Sequence, residues 1–172
     1  MTRSAPRLLF VLALAGALAA CDSSDTDGPT PSDVAGVYNV TTFTFDPDIQ
    51  VLETISVRDT LVADQTTMEI LSGGQVFLRY RLQNSPNERL VLGEASVRSE
   101  QVRVTFDDGT QTDRRRILLP SQVTFDRDGT TLSAEAETTV NLEAYSPRFG
   151  TGGTFREVDG TLRITLTPRA SS

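Results

Sequence analysis

Few side chains in this sequence could do chemistry. Its 172 residues contain no His and a single Cys, and all 16 basic residues are Arg. Without His there is no imidazole base, no Ser-His-Asp triad and no imidazole metal ligand. Without Lys there is no Schiff base. The remaining candidates are few. Cys21 is the lone thiol. Glu135 and Glu137 stand two apart and so share one strand face, a spacing that allows a carboxylate pair. Asp22, Asp25 and Asp27, and separately Asp126-Arg127-Asp128-Gly129, have the look of metal loops. Arg114-Arg115-Arg116 is the one basic cluster and could grip a carboxylate or phosphate through bidentate contacts.

Each candidate has a plainer reading. Glu135 and Glu137 fall on the polar face of an amphipathic run, where solvated charges are the ordinary outcome. Glycoside hydrolysis also needs its two acids on separate elements flanking the substrate. The expectation is therefore no enzyme, with a carboxylate-based hydrolase as the residual alternative. The acidic stretch 22–27 lacks the full calcium-ligand set that ends in a glutamate. The Asp-Gly at 128–129 reads as a hairpin turn. No metal and no cofactor are expected. The arginine cluster reads as strand-edge or loop charge that guards against aggregation.

Charge narrows the partners. Residues 21–172 carry 14 Arg against 23 acids, a formal −9. Nucleic-acid binding needs basic patches, so no nucleic-acid partner is expected. A domain lying flat on anionic lipid is disfavoured for the same reason. With one Cys there is no intramolecular disulfide, so the core alone must hold the fold. The all-Arg usage fits a GC-rich genome or a salty habitat better than a functional role.

The N-terminus has the layout of a secretory signal. Arg3 and Arg7 precede an uncharged apolar run from Leu8 to Leu18, followed by Ala19 and Ala20. That run is about half the ~20 residues a spanning helix needs, which favours a cleaved signal. Leu18-Ala19-Ala20-Cys21 resembles the lipobox of bacterial lipoprotein precursors at all four positions. The resemblance implies cleavage before Cys21, a diacylglycerol thioether on its sulfur, and an acyl chain such as palmitate on its amine. Multiple acyl chains hold a protein on a membrane, at ~0.8 kcal/mol per buried methylene. Residues 22–34 are Asp, Ser, Thr, Gly and Pro with one apolar residue, Val34, and read as a disordered tether. The acids after Cys21 resemble the export signal of Bacteroidota-type surface lipoproteins, which implies the outer membrane, facing the periplasm or the cell surface. Asp beside the cysteine in enterobacterial lipoproteins implies the inner membrane instead, and that alternative stays open.

The rest of the chain alternates with period two. Val76, Leu78 and Tyr80, then Val102, Val104 and Phe106, then Leu162, Ile164 and Leu166 each face one way while Arg and Thr face the other. The longest run is 132–144, which is long enough that a bend or bulge is expected midway. Turn signals at 72–75, 84–88, 107–110, 126–130 and 149–153 divide the runs. No convincing helical period occurs from 36 to 170. The reading is an all-β, antiparallel up-and-down barrel of roughly eight to ten strands, with a β-sandwich as the alternative. Glu and Arg at mid-strand on the outward face exclude an outer-membrane barrel. The domain plan is a lipoprotein signal peptide at 1–20, a lipidated acidic tether at 21–34, the barrel at 35–169 and a disordered end at 170–172.

Residues 34–47 resemble the opening strand of lipocalin-like bacterial lipoproteins, with Gly36-x-Tyr38 where lipocalins carry Gly-x-Trp. Residues 158–169 resemble the closing strand, and 117–142 the later hairpins. The resemblance implies a small hydrophobic or lipid ligand inside the barrel, lined by Tyr38, Tyr80, Phe106, Ala134, Ala136 and Val140. The small side chains of Ala134, Ala136 and Thr138 would leave the space. Against it, Phe43, Phe45, Phe77, Phe106 and Phe125 could fill that space. The expected function is a membrane-anchored, non-enzymatic envelope lipoprotein that binds such a ligand. The alternative is a structural or adaptor lipoprotein that meets an envelope protein partner through its surface.

Overall fold

The structure, a computed structural model, describes residues 28–146 and 156–170. The expected signal peptide, Cys21, residues 22–27 of the tether, the 149–153 turn and residues 171–172 lie outside them. Strands form where the alternation predicts: β1 (Gly36–Pro47), β2 (Ile55–Ser56), β3 (Thr67–Ile70), β4 (Gln75–Arg81), β5 (Glu88–Arg98), β6 (Gln101–Phe106), β7 (Gln122–Asp128), β8 (Thr131–Asn141) and β9 (Glu157–Pro168). Each strand from β3 to β8 pairs antiparallel with the next, and β1 pairs with both β3 and β9. Eight strands thus close an up-and-down barrel, with β2 outside the ring on β1. Closure decides against the sandwich.

The core is the inward half of every alternation. Phe45, Tyr80, Val102, Phe125 and Leu166 are fully buried, and the buried apolar residues form one contiguous cluster. Fully burying one such side chain is worth roughly 1.5–3 kcal/mol. β1 needs a register shift to keep its hydrophobics inside. Tyr38 and Val40 point inward, and so do Phe43 and Phe45, which have opposite parity. The ladder to β9 shifts between Val40 and Thr42 to reconcile them. Next to the shift, Arg58 donates from Nε to the Val40 carbonyl at 2.8 Å, on the part of the β1 edge that neither β2 nor β3 covers.

Three expectations change. Of the bend or bulge expected within 132–144, the β8–β9 ladder shows no bulge. β8 stays in register with β9 from Leu132 to Asn141 and then ends. Asn141 caps a one-turn helix, its Oδ1 accepting from the Ala144 amide at 2.7 Å. The Asp-Gly at 108–109 does not make a tight hairpin. It opens a long β6–β7 connection containing a helix, α1 (Gln111–Arg115); the helix after β8 is α2 (Leu142–Tyr145). Phe77 does not fill the interior. It lies on the outer wall, where the Arg79 guanidinium sits 5.5 Å from its ring centroid.

The two ends of the barrel differ. At the base, β3–β4, β5–β6 and β7–β8 are joined by short turns, including Gly129 in the left-handed region at φ 58°. The chain reaches the barrel here too. Pro31–Val34 forms a 3-10 turn, Val34 is buried, and the Tyr38 hydroxyl donates to the Val34 carbonyl at 2.7 Å. The folded domain therefore begins near Pro31, a few residues before the expected boundary at 35. The opposite end, the mouth, carries the longer connections after β1, β6 and β8 and the β4–β5 turn.

Candidate functional site

Clefts gather at the mouth. One of 630 Å³ is lined by α1, the segment after it, and the ends of β8 and β9. A second of 610 Å³ lies between the β4–β5 turn, α1 and α2, and a third of 350 Å³ adjoins it. A smaller cleft of 250 Å³ lies at the base, beside Tyr38 and Arg127.

The first cleft has a structural origin. β7 pairs with β8 only from Asp126 to Asp128 at the base. Toward the mouth, no ladder joins β7 to β8, although β8 remains paired to β9. The segment Ile117–Leu119 is buried at all three side chains, and Leu118 and Leu119 line the cleft. Leu118 adopts φ 55°, a left-handed conformation rare for a branched residue, so the segment holds local strain.

α1 is fixed over the mouth by a polar latch. The Tyr80 hydroxyl donates to the Asp113 carbonyl at 2.8 Å. Arg89, directly across the ladder from Tyr80, donates from Nη1 to Asp113 Oδ1 at 2.6 Å. Burial raises the Tyr80 phenol well above its ordinary pKa, and the Asp113 carboxylate adds to the rise. Tyr38 at the base is raised too, chiefly by burial.

The latch places the arginine cluster. Arg115 and Arg116 are exposed, but Arg114 is only 4 % exposed, which the loop-charge reading did not anticipate. Its sole ion pair among the described residues is with Asp108, at 3.9 Å, and Asp108 is fully solvent-exposed. Among the described residues the buried Arg114 Nε has no hydrogen-bond partner, and the same holds for Arg81 Nε and Arg89 Nε. Burial lowers the Arg114 pKa.

The predicted ligand-lining residues all belong to inward-facing positions. Tyr38, Tyr80, Phe106, Ala134 and Val140 are packed into the core cluster. Tyr38 also lines the basal cleft and Val140 the 630 Å³ mouth cleft. Ala136 is partly exposed, on a stretch of β8 that no ladder joins to β7. The six are spread along the barrel, Tyr38 near the base and Val140 near the mouth.

Glu135 and Glu137 lie on the outer wall and are paired across to β9. Glu135 Oε1 accepts from Arg163 Nη2 at 3.0 Å, and Glu137 Oε1 accepts from the Thr161 hydroxyl at 2.9 Å. Arg163 also reaches Asp46 at 3.8 Å, bridging β8, β9 and β1 on the outside. Among the described residues no three acids, His or Cys gather as a metal site. The Asp126–Gly129 segment does form the hairpin, with Arg127 Nε donating to the Gly129 carbonyl at 3.0 Å. No helix among the described residues is long and apolar enough to cross a membrane.

The mouth site was largely hidden in the sequence. Arg114-Arg115-Arg116 lies beside the mouth clefts, but nothing in the pattern separates the buried arginine from its exposed neighbours. Compared with known protein families and with curated proteins, the chain matches none.

Proposed function

We propose that this protein is a non-enzymatic cell-envelope lipoprotein, held by lipid on Cys21, that works through the mouth of its barrel. The carrying observation is polarity of the fold. The chain joins the barrel at the base, through Pro31–Val34, while the longer connections and the larger clefts lie at the opposite end. Nine residues separate Cys21 from Pro31. At ~3.5 Å per residue they reach roughly 30 Å at most. An anchor on Cys21 therefore turns the base toward the membrane and the mouth toward the aqueous compartment. The acids of the tether support outer-membrane placement, with the inner membrane as the alternative. An acidic outer surface supports contact with an envelope protein or small solute over nucleic acid.

Site-directed thiol labelling tests this reading, since lipidation consumes the native thiol. In intact membranes, Arg115→Cys at the mouth should react with a bulky maleimide faster than Thr130→Cys at the base. Equal or reversed rates would sink the orientation. Cys21→Ser should release the chain from the membrane fraction.

One observation supports the lipocalin-like reading of a small hydrophobic ligand. Ala136 is a small, partly exposed residue on the inner face of β8, where β7 and β8 are not laddered. Uptake of a fluorescent fatty acid, abolished by Ala136→Phe, is the outcome this second reading requires. No uptake counts against it.

A further inference from the structure

The geometry points to an oxyanion site in the 630 Å³ mouth cleft, with Arg114 on its floor and Arg115 at its edge, taking a carboxylate or phosphate group. This rests on the mouth being the working end and adds the chemistry of what it holds.

Arg114 is the main reason. A guanidinium keeps its charge at any physiological pH, so burial leaves it needing an anion or several acceptors. Here it is only 4 % exposed, yet among the described residues its Nε has no hydrogen-bond partner. Its one carboxylate, Asp108, stands 3.9 Å away, beyond hydrogen-bond range and in open water. Nothing else described in the fold answers that charge. Arg114 Nη2 lies on the side of Asp108, which also lines the cleft, so an oxyanion entering there would meet the guanidinium through its terminal nitrogen.

The surroundings fit. Gln111, Ser121, Thr138 and Asn141 also line the cleft and supply neutral donors. Asn141 uses its carbonyl oxygen on the Ala144 amide, which leaves its NH₂ available. Both acids on the cleft, Asp108 and Glu157, are solvent-exposed, so water weakens their repulsion of an incoming anion more than it weakens the attraction of the buried Arg114 guanidinium. The Tyr80–Asp113–Arg89 latch fixes α1, so Arg114 is held in place before any ligand arrives.

The test uses the full lipidated chain in a nonionic detergent, titrated separately with inorganic phosphate and with acetate. Sodium chloride at matched ionic strength is the control, and the readout is calorimetric binding with thermal stabilisation. At least one of the two anions should bind saturably and raise Tm where chloride does not. Which one binds assigns the group as phosphate or carboxylate. Arg114→Met should weaken that binding by about tenfold or more, and Arg115→Gln by a smaller factor of about three to ten. Glu135→Gln, on the outer wall, should leave it unchanged. If Arg114→Met does not fold, Arg115→Gln decides. Saturation by neither anion, or binding that both folded variants retain in full, overturns the site. Failure here with mouth-first thiol labelling intact removes the anion site and leaves the orientation standing.

Discussion

Tyr80→Phe should loosen the mouth of the barrel before anything else. The substitution deletes one hydroxyl and keeps the ring, so the packing around a fully buried side chain is preserved. What is lost is the 2.8 Å hydrogen bond to the Asp113 carbonyl, half of the latch that holds α1. Removing a buried donor and leaving its acceptor unsatisfied costs about 1–2 kcal/mol. For a domain of roughly 140 residues with an unfolding entropy of ~2.1 cal/mol/K per residue, ~1.5 kcal/mol lowers Tm by about 5 °C. The local effect is more specific. Hydrogen exchange at the amides of Gln111–Arg115 should accelerate by about tenfold relative to β8 and β9, because the latch protects α1 more than the barrel wall. Amide exchange read by mass spectrometry, alongside thermal unfolding, checks both. A Tm drop under about 1 °C with unchanged α1 protection would refute the latch and the reasoning that positions Arg114.

The remaining predictions concern the wall, the core and pH. Gly160→Ala places a methyl against the Asp46 carbonyl and within 2.8 Å of the Phe45 ring, at the β1–β9 seam, and should destabilise by about 1–3 kcal/mol in urea unfolding. Phe125→Ala should cost about 3–5 kcal/mol by the same measurement, since the side chain is fully buried in the shared core. Glu135→Gln should leave the urea-unfolding midpoint essentially unchanged, because its pair with Arg163 is solvent-exposed. Stability should fall as pH rises above about 10, where unfolded tyrosines begin to ionise. Tyr80 and Tyr38 are raised in the fold, so the native state then holds more protons than the unfolded one. Tyr80→Phe should flatten that alkaline decline in a pH series of unfolding curves.

The barrel was legible because alternation is a direct imprint of a half-buried sheet. Val102-x-Val104-x-Phe106 and Leu162-x-Ile164-x-Leu166 face inward as their spacing requires. Closure followed from short, sequential turns such as Gly129-Thr130. Local irregularities were less visible. The β1 register shift is written as a parity change between Val40 and Phe43, but the two adjacent threonines fit either face and mask it. The β5–β6 turn runs through Ser99 at φ 52° and Glu100 without a glycine to mark it. α1 and α2 span five and four residues, too short to show a 3.6-residue period, and α2 continues the apolar alternation of β8 without a break. The site was the least legible part. Arg114 is buried because Asp113 is pinned by Tyr80 and Arg89, two residues far away in sequence, and no local pattern encodes that contact.

Cys21 decides the central claim. The chain should be expressed in a bacterium with a lipoprotein-processing pathway, purified from its membranes, and its N-terminal peptide weighed intact. A mature chain that begins at Cys21 and carries diacylglycerol and an N-acyl group is the predicted result. A chain cleaved elsewhere, or one with an unmodified Cys21 thiol, would contradict the account.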